Sequence, residues 1–214
     1  GWPGEASDVG VLGAEVDGFV ALQDTSGEER EIRFRADRVD QMVEGLRLID
    51  YKTGKASANQ QGAAYRRKTL LNEVSRGTAL QAAAYAMCGS QIEKDLSAGG
   101  RYLYLGVDTP EHARVAEIDS GDHEFSDAFT RAVQVVFEAW DRGSFTPRLI
   151  DSSGRKEPFR CSTCSVKEAC LRGDSGSRNR LAQWVESART ADTTKQLEAE
   201  RAAIRLWDLG AEKA

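Results

Sequence analysis

What most constrains this chain is the run of residues 9–52, where three short stretches rich in apolar and β-branched residues follow one another with only turn-forming segments between them. Residues 9–22 and 30–39 flank DTSGEER, whose Asp, Ser and Gly suit a turn, so the two read as a hairpin. Residues 45–51 (GLRLIDY) follow QMVE and end at Thr53-Gly54, which gives three consecutive antiparallel strands. Residues 59–75 and 78–91 are dominated by Ala, Leu, Gln, Arg and Met, which favour helix, with Gly77 as punctuation between them. RYLYLGV at 101–107, after Gly99-Gly100, and ARVAEID at 113–119 add two strands. From there Phe125, Phe129, Val133, Val136, Phe137 and Trp140 recur at spacings of three and four, which predicts an amphipathic helix that Gly143 is expected to stop. Strands, helices, strands and a helix in that order predict an α/β fold with a mixed central sheet flanked by helices.

At 214 residues the chain is long enough for one domain with a sizeable core and an appendage. The division expected is residues 1–172, followed by a linker and helical tail over residues 173–214, because the composition shifts to LRGDSGSRNR after Cys170. An apolar fraction of 40% and a charged fraction of 29% describe an ordinary water-soluble chain. No apolar run approaches the roughly 18 residues of a spanning helix, and GWPGEASDVG lacks the regions of a signal peptide, so a cytoplasmic protein without a membrane partner is expected. Starting at Gly1 rather than Met, the sequence reads as a piece of something longer. A net charge of -5 argues against a surface that attracts nucleic acid everywhere, yet a single groove needs only local positive charge. Arg35 and Arg38, among Arg30 and Arg33, and Arg66 and Arg67, beside Lys68 and Arg76, form two such clusters. They are candidates for contacts to a nucleic-acid backbone, and a solvated protein face is the plainer alternative. No G-x-x-x-x-G-K-[ST] phosphate loop is present, so an ATP-driven motor would lie elsewhere.

Chemistry concentrates at the ends of the second and third strands. Asp37 stands in RADRVD, and Asp50 and Lys52 stand in LIDYKTGK. Residues two apart on a strand share a face, so Asp50 and Lys52 point the same way, and Asp37 on a paired strand can join them. Phosphodiester hydrolysis needs this combination: hard carboxylate oxygens for a divalent cation, and a cationic side chain that orients water and offsets charge on the transition state. Taken alone, D-x-K is also what structural ion pairs at strand ends look like. Gln81 and Tyr85 in LQAAAYA lie at i and i+4 on one helical face; a surface glutamine beside a core tyrosine would give the same pattern. Asp40 reads as structural, on the opposite strand face from Asp37.

The succession RADRVD, LIDYKTGK and LQAAAYA resembles the signature of RecB-like PD-(D/E)XK nucleases, over most of residues 10–172. The resemblance implies a restriction-endonuclease-like core. It also implies that Asp37, Asp50 and the Tyr51 carbonyl hold Mg²⁺ or Mn²⁺, that Lys52 assists water attack, and that Gln81 and Tyr85 line the DNA path. Glu15, in GAEVDGF, matches an acidic residue on the first strand and is carried over as an auxiliary metal ligand.

FRCSTCSVKEACLR carries Cys161, Cys164 and Cys170 at a C-x2-C-x5-C spacing. Three cysteines so close in a cytosolic chain point to a shared metal rather than a disulfide, and the spacing alone does not separate zinc from iron-sulfur. AddB-like and CRISPR-associated RecB-like exonucleases have a similar C-terminal trio after a helix and a turn like Gly143-Ser144-Phe145-Thr146-Pro147. That resemblance implies a [4Fe-4S] cluster whose fourth ligand lies outside this sequence, since Cys88 stands alone on the face of Gln81 and Tyr85 as a buried free thiol. The function expected is a metal-dependent DNA exonuclease for single-stranded ends, working in repair or recombination with the helicase portion or partner subunit of a helicase-nuclease. A non-cutting DNA-end-binding or scaffold module is the alternative, and a zinc-ribbon interaction domain with an incidental D-x-K is a third possibility.

Overall fold

The computed structural model describes residues 9–43, 45–54, 56, 61–92, 97–145, 164–165, 175–192, 194 and 196–209. The described residues fall into two compact units, one over residues 9–134 and one over residues 135–209.

The first unit is built on five strands, β1 (Gly10–Gln23), β2 (Glu29–Met42), β3 (Gly45–Lys52), β4 (Ser97–Tyr104) and β5 (Val115–Asp119), hydrogen-bonded in sequence order. β1–β2, β2–β3 and β4–β5 pair antiparallel, and β3–β4 pairs parallel, so the sheet is mixed as expected. The turn between β1 and β2 is held by Asp24, whose Oδ1 accepts the Ser26 backbone N–H at 2.8 Å, the Ser26 hydroxyl at 2.6 Å and the Glu28 N–H at 3.0 Å. An aspartate that bonds its own following backbone is the reason DTSG turns the chain.

Between the parallel strands run α1 (Ala63–Ser75) and α2 (Gln81–Ile92). Gly77, at φ 70, ends α1: the Thr78 N–H reaches the Glu73 carbonyl and the Gly77 N–H that of Val74, closing the last turn. The alanine-rich α2 crosses the sheet, touching β1, β3 and β4. Its Tyr85 is 0% exposed and packs with Ala36, Val39 and Leu48, its ring 4.9 Å from that of Phe34. Burying a side chain of this kind stabilises a fold by about 1.5–3 kcal/mol.

β4 begins earlier than expected. Gly99 and Gly100, which read as punctuation, lie inside the strand because α2 passes directly over it, and a Cβ on Gly100 would come 1.8 Å from the Ala82 carbonyl oxygen. Helix α3 (His123–Asp141) follows the predicted stripe, with Phe125, Phe129 and Val133 buried, while Val136 and Trp140 stay exposed.

In the second unit, α4 (Ser175–Thr190) begins inside the stretch expected to be a linker, and α5 (Glu198–Asp208) follows. They are tied by the Arg189–Asp208 ion pair, and Val185, Ala202 and Ala203 are buried. Of the cysteine trio, Cys161 and Cys170 lie outside the described residues; Cys164 is exposed and free of any disulfide. Among the described residues no helix is long and apolar enough to cross a membrane.

Candidate active site

The antiparallel ladder pairs Arg38 with Ile49, which leaves Asp37 across from Asp50 where β2 and β3 run out of pairing. Asp37 closes the gap itself: its Oδ2 accepts the Tyr51 backbone N–H at 2.6 Å. Lys52 Nζ lies 2.6 Å from Asp50 Oδ2 and donates to Gln81 Oε1 at 2.6 Å. Asp37, Asp50, Lys52 and Gln81 are thus brought to one place, as their order in the sequence led us to expect.

Asp50 is 4% exposed. Burial pushes its carboxyl above the ordinary range, opposed by the Lys52 ammonium and assisted by the nearby Asp37 charge. Its Oδ2 is shut off from solvent, and no donor meets it in hydrogen-bond geometry although the lysine is in ion-pair contact. A buried carboxylate oxygen with a free lone pair, a second carboxylate on the facing strand and a run of backbone between them suit a hard divalent cation, which takes one or two carboxylates and leaves its remaining positions to water and phosphate. Among the described residues no three His, Cys, Asp or Glu side chains stand close enough to hold a metal by themselves.

Glu15, expected as an auxiliary ligand, lies on β1 across from the stretch of β2 that holds Asp37. It sits in β1 at φ 52, between residues paired with Ala36 and Arg38, with its Oε2 4.0 Å from Arg35 Nη1. Asp40 is buried and bound by Arg38 Nε at 2.5 Å, which is the structural use expected of it.

Gln81 is exposed beside the lysine, whereas Tyr85 has no exposed surface and its hydroxyl donates to the Arg35 carbonyl at 2.9 Å. Tyr85 therefore locks α2 onto β2 rather than lining a surface. Burial first, then the charges of Asp50 and Asp37, raise its phenol well above its usual value, so it remains a donor. The four candidate arginines are engaged: Arg35 with Asp17 at 2.8 Å, Arg38 with Asp40, Arg67 with Asp122 at 2.8 Å and Glu124 at 2.7 Å, and Arg66 with the Gln61 carbonyl at 2.5 Å. Cys88 is buried, and burial pushes its thiol up.

Two residues that the sequence did not single out complete the floor. Tyr102 pairs in register with Asp50; its ring lies 5.0 Å from Lys52 Nζ, and its hydroxyl accepts the Ala82 N–H at 3.2 Å in the first turn of α2. Tyr104 pairs with Lys52, and its phenol is pushed up to about 12 by burial, with the Glu73 and Asp50 charges adding to it. The aromatic run YLY was visible, but only the parallel pairing of β3 with β4 puts it beside the D-x-K residues.

A solved structure described as "Crystal structure of SSO0001" shares 15% identity over 74% of this chain with a TM-score of 0.34, and the chain spans 59% of that structure's length. Among curated proteins none matches the sequence significantly. The model of the PD-(D/E)XK nuclease superfamily matches residues 5–171, which take in both strand ends and every residue gathered around Asp50, and the chain belongs to that superfamily.

Proposed function

We propose that this protein is a metal-dependent DNA exonuclease of the RecB-like kind, cutting single-stranded ends in DNA repair or recombination as part of a helicase-nuclease in the cytoplasm. Members of the superfamily are typically metal-dependent nucleases. The observation that carries the reading is the meeting of Asp37, Asp50 and Lys52 at one end of the sheet, with Gln81 against the lysine.

Asp37, Asp50 and the Tyr51 carbonyl would hold Mg²⁺ or Mn²⁺, which when bound supplies Lewis-acid charge against the phosphate and favours ionisation of a water. Lys52, fixed between Asp50 and Gln81 over the Tyr102 ring, orients the attacking water and offsets negative charge as the phosphodiester opens. Tyr85 and Tyr102 keep α2, and with it Gln81, in register with β2 and β4. Cys161, Cys164 and Cys170 would give three ligands of a [4Fe-4S] cluster, with the fourth from elsewhere; iron and sulfide analysis of the anaerobically purified protein tests this, and zinc would refute it.

Asp37→Ala tests the catalytic reading. With Mg²⁺ present it is expected to lose cleavage of an end-labelled single strand while still binding it. A wild-type protein that binds DNA ends but never cuts, in Mg²⁺ or Mn²⁺, would instead be the non-catalytic end-binding module.

A further inference from the structure

Apart from the catalytic residues, the first unit contains a cavity of about 340 Å³ between α1 and the outer strands of the sheet. We propose, on the reading of this chain as a nuclease for single-stranded DNA, that the cavity is a pocket for one nucleobase of the substrate strand, set a nucleotide or two from the cut bond.

Asp50 pairs with Tyr102 and Tyr102 with Ala116, so the three form a row across β3, β4 and β5. Paired residues project from the same sheet face, and Tyr104, two after Tyr102, shares it. Ala116 and Tyr104 line the cavity on this face, and it reaches the edge strand β5, whose Val115 and Glu117 also line it. Two strand spacings, about 10 Å, separate it from Asp50. That distance is within the reach of a strand leaving the catalytic carboxylates.

Leu70 and Ala64 from α1 give apolar walls, and Tyr104 gives an aromatic face. Aromatic rings hold unpaired bases by stacking whatever their sequence. The Tyr104 phenol stays protonated at neutral pH and can donate to a base. Arg66 lines the same cavity and uses one Nη on the Gln61 carbonyl, which leaves guanidinium donors for the phosphate joined to that base. Arg67, Glu73 and Glu117 also line the cavity, and Arg67 is already paired with Asp122 and Glu124, so Arg66 is the cation set to meet a phosphate. The cavity's volume is at the small end of ligand pockets, which run from about 300 to 1,000 Å³, so it suits one base and its sugar. A base stacked inside a duplex cannot enter without being flipped out, so the pocket would favour single strands.

The test moves one abasic residue stepwise along an end-labelled oligonucleotide and measures KM and kcat with Mg²⁺, together with affinity by anisotropy with Ca²⁺. An abasic residue at one or two positions near the cut is expected to weaken binding and raise KM on the order of tenfold, with little effect elsewhere. Ala64→Phe, which fills the cavity from an exposed helical position, should raise KM for the ordinary strand and erase the positional penalty. Cleavage with no positional penalty, or a penalty that persists in Ala64→Phe, overturns the pocket and leaves the nuclease standing. A positional penalty in binding with no cleavage by the wild type supports the pocket and removes the nuclease reading. Absence of binding to any strand overturns both.

Discussion

Asp50 is nearly buried, 4% exposed, and its desolvation outweighs the attraction of Lys52. A carboxyl whose folded-state pKa exceeds its unfolded value favours folding in the protonated form. Its contribution is therefore present at low pH and lost as pH rises through the folded value. At neutral pH the ionised Asp50 weighs against the fold, a common condition for groups kept for chemistry. In EDTA, Asp50→Asn is expected to raise Tm by a few degrees at pH 8, with the gain fading toward the ordinary carboxylate range near about pH 4, while abolishing cleavage. A Tm at pH 8 equal to or below the wild-type value would contradict this. Tyr85 is the complementary case, because its hydroxyl serves the fold. Tyr85→Phe strips the Arg35 carbonyl of its donor and should cost about 1 kcal/mol, seen as a lower urea midpoint at unchanged slope.

At the scale of elements, the site depends on how closely α2 rides on β4. A methyl group on Gly100 would meet the Ala82 carbonyl at 1.8 Å, so Gly100→Ala must lift the start of α2 and with it Gln81. Overpacking of backbone on backbone is expected to cost about 1–3 kcal/mol in chemical denaturation, and cleavage should fall as well. Wild-type stability would show that α2 is not seated this tightly. The same contact explains what was legible beforehand. The β1–β2 hairpin, the third strand and the α3 stripe follow from local pattern: an Asp-Ser-Gly turn, alternation, and apolar spacings of three and four. Asp37, Asp50 and Lys52 could be singled out because they sit at ends of those local strands. The start of β4 was missed because Gly99 and Gly100 break strands by local preference and are needed here only by a helix that arrives from elsewhere in the chain. Tyr102 and Tyr104 were missed for a related reason, since β3 and β4 are joined by a crossover whose register no short window reveals.

For the molecule as a whole, charge decides how DNA would be held. The net charge is -5, and Arg35, Arg38 and Arg67 are already paired with carboxylates, whereas Arg66 contacts a carbonyl. Affinity for single strands should fall with salt, and the logarithmic slope should shrink by about 0.7 in Arg66→Ala, one phosphate contact, and by less in Arg67→Ala. Equal slopes in both variants would place the strand elsewhere. Chemistry at the catalytic end of the sheet is tested by degradation of an end-labelled single-stranded DNA by the wild type and by Lys52→Ala, with Mg²⁺ or Mn²⁺ and with EDTA. Metal-dependent cleavage is expected, abolished by EDTA and lower by about a hundredfold or more in Lys52→Ala. Cleavage that survives intact in folded Lys52→Ala would contradict a catalytic role for this end of the sheet, as would its absence from the folded, metal-supplied wild type.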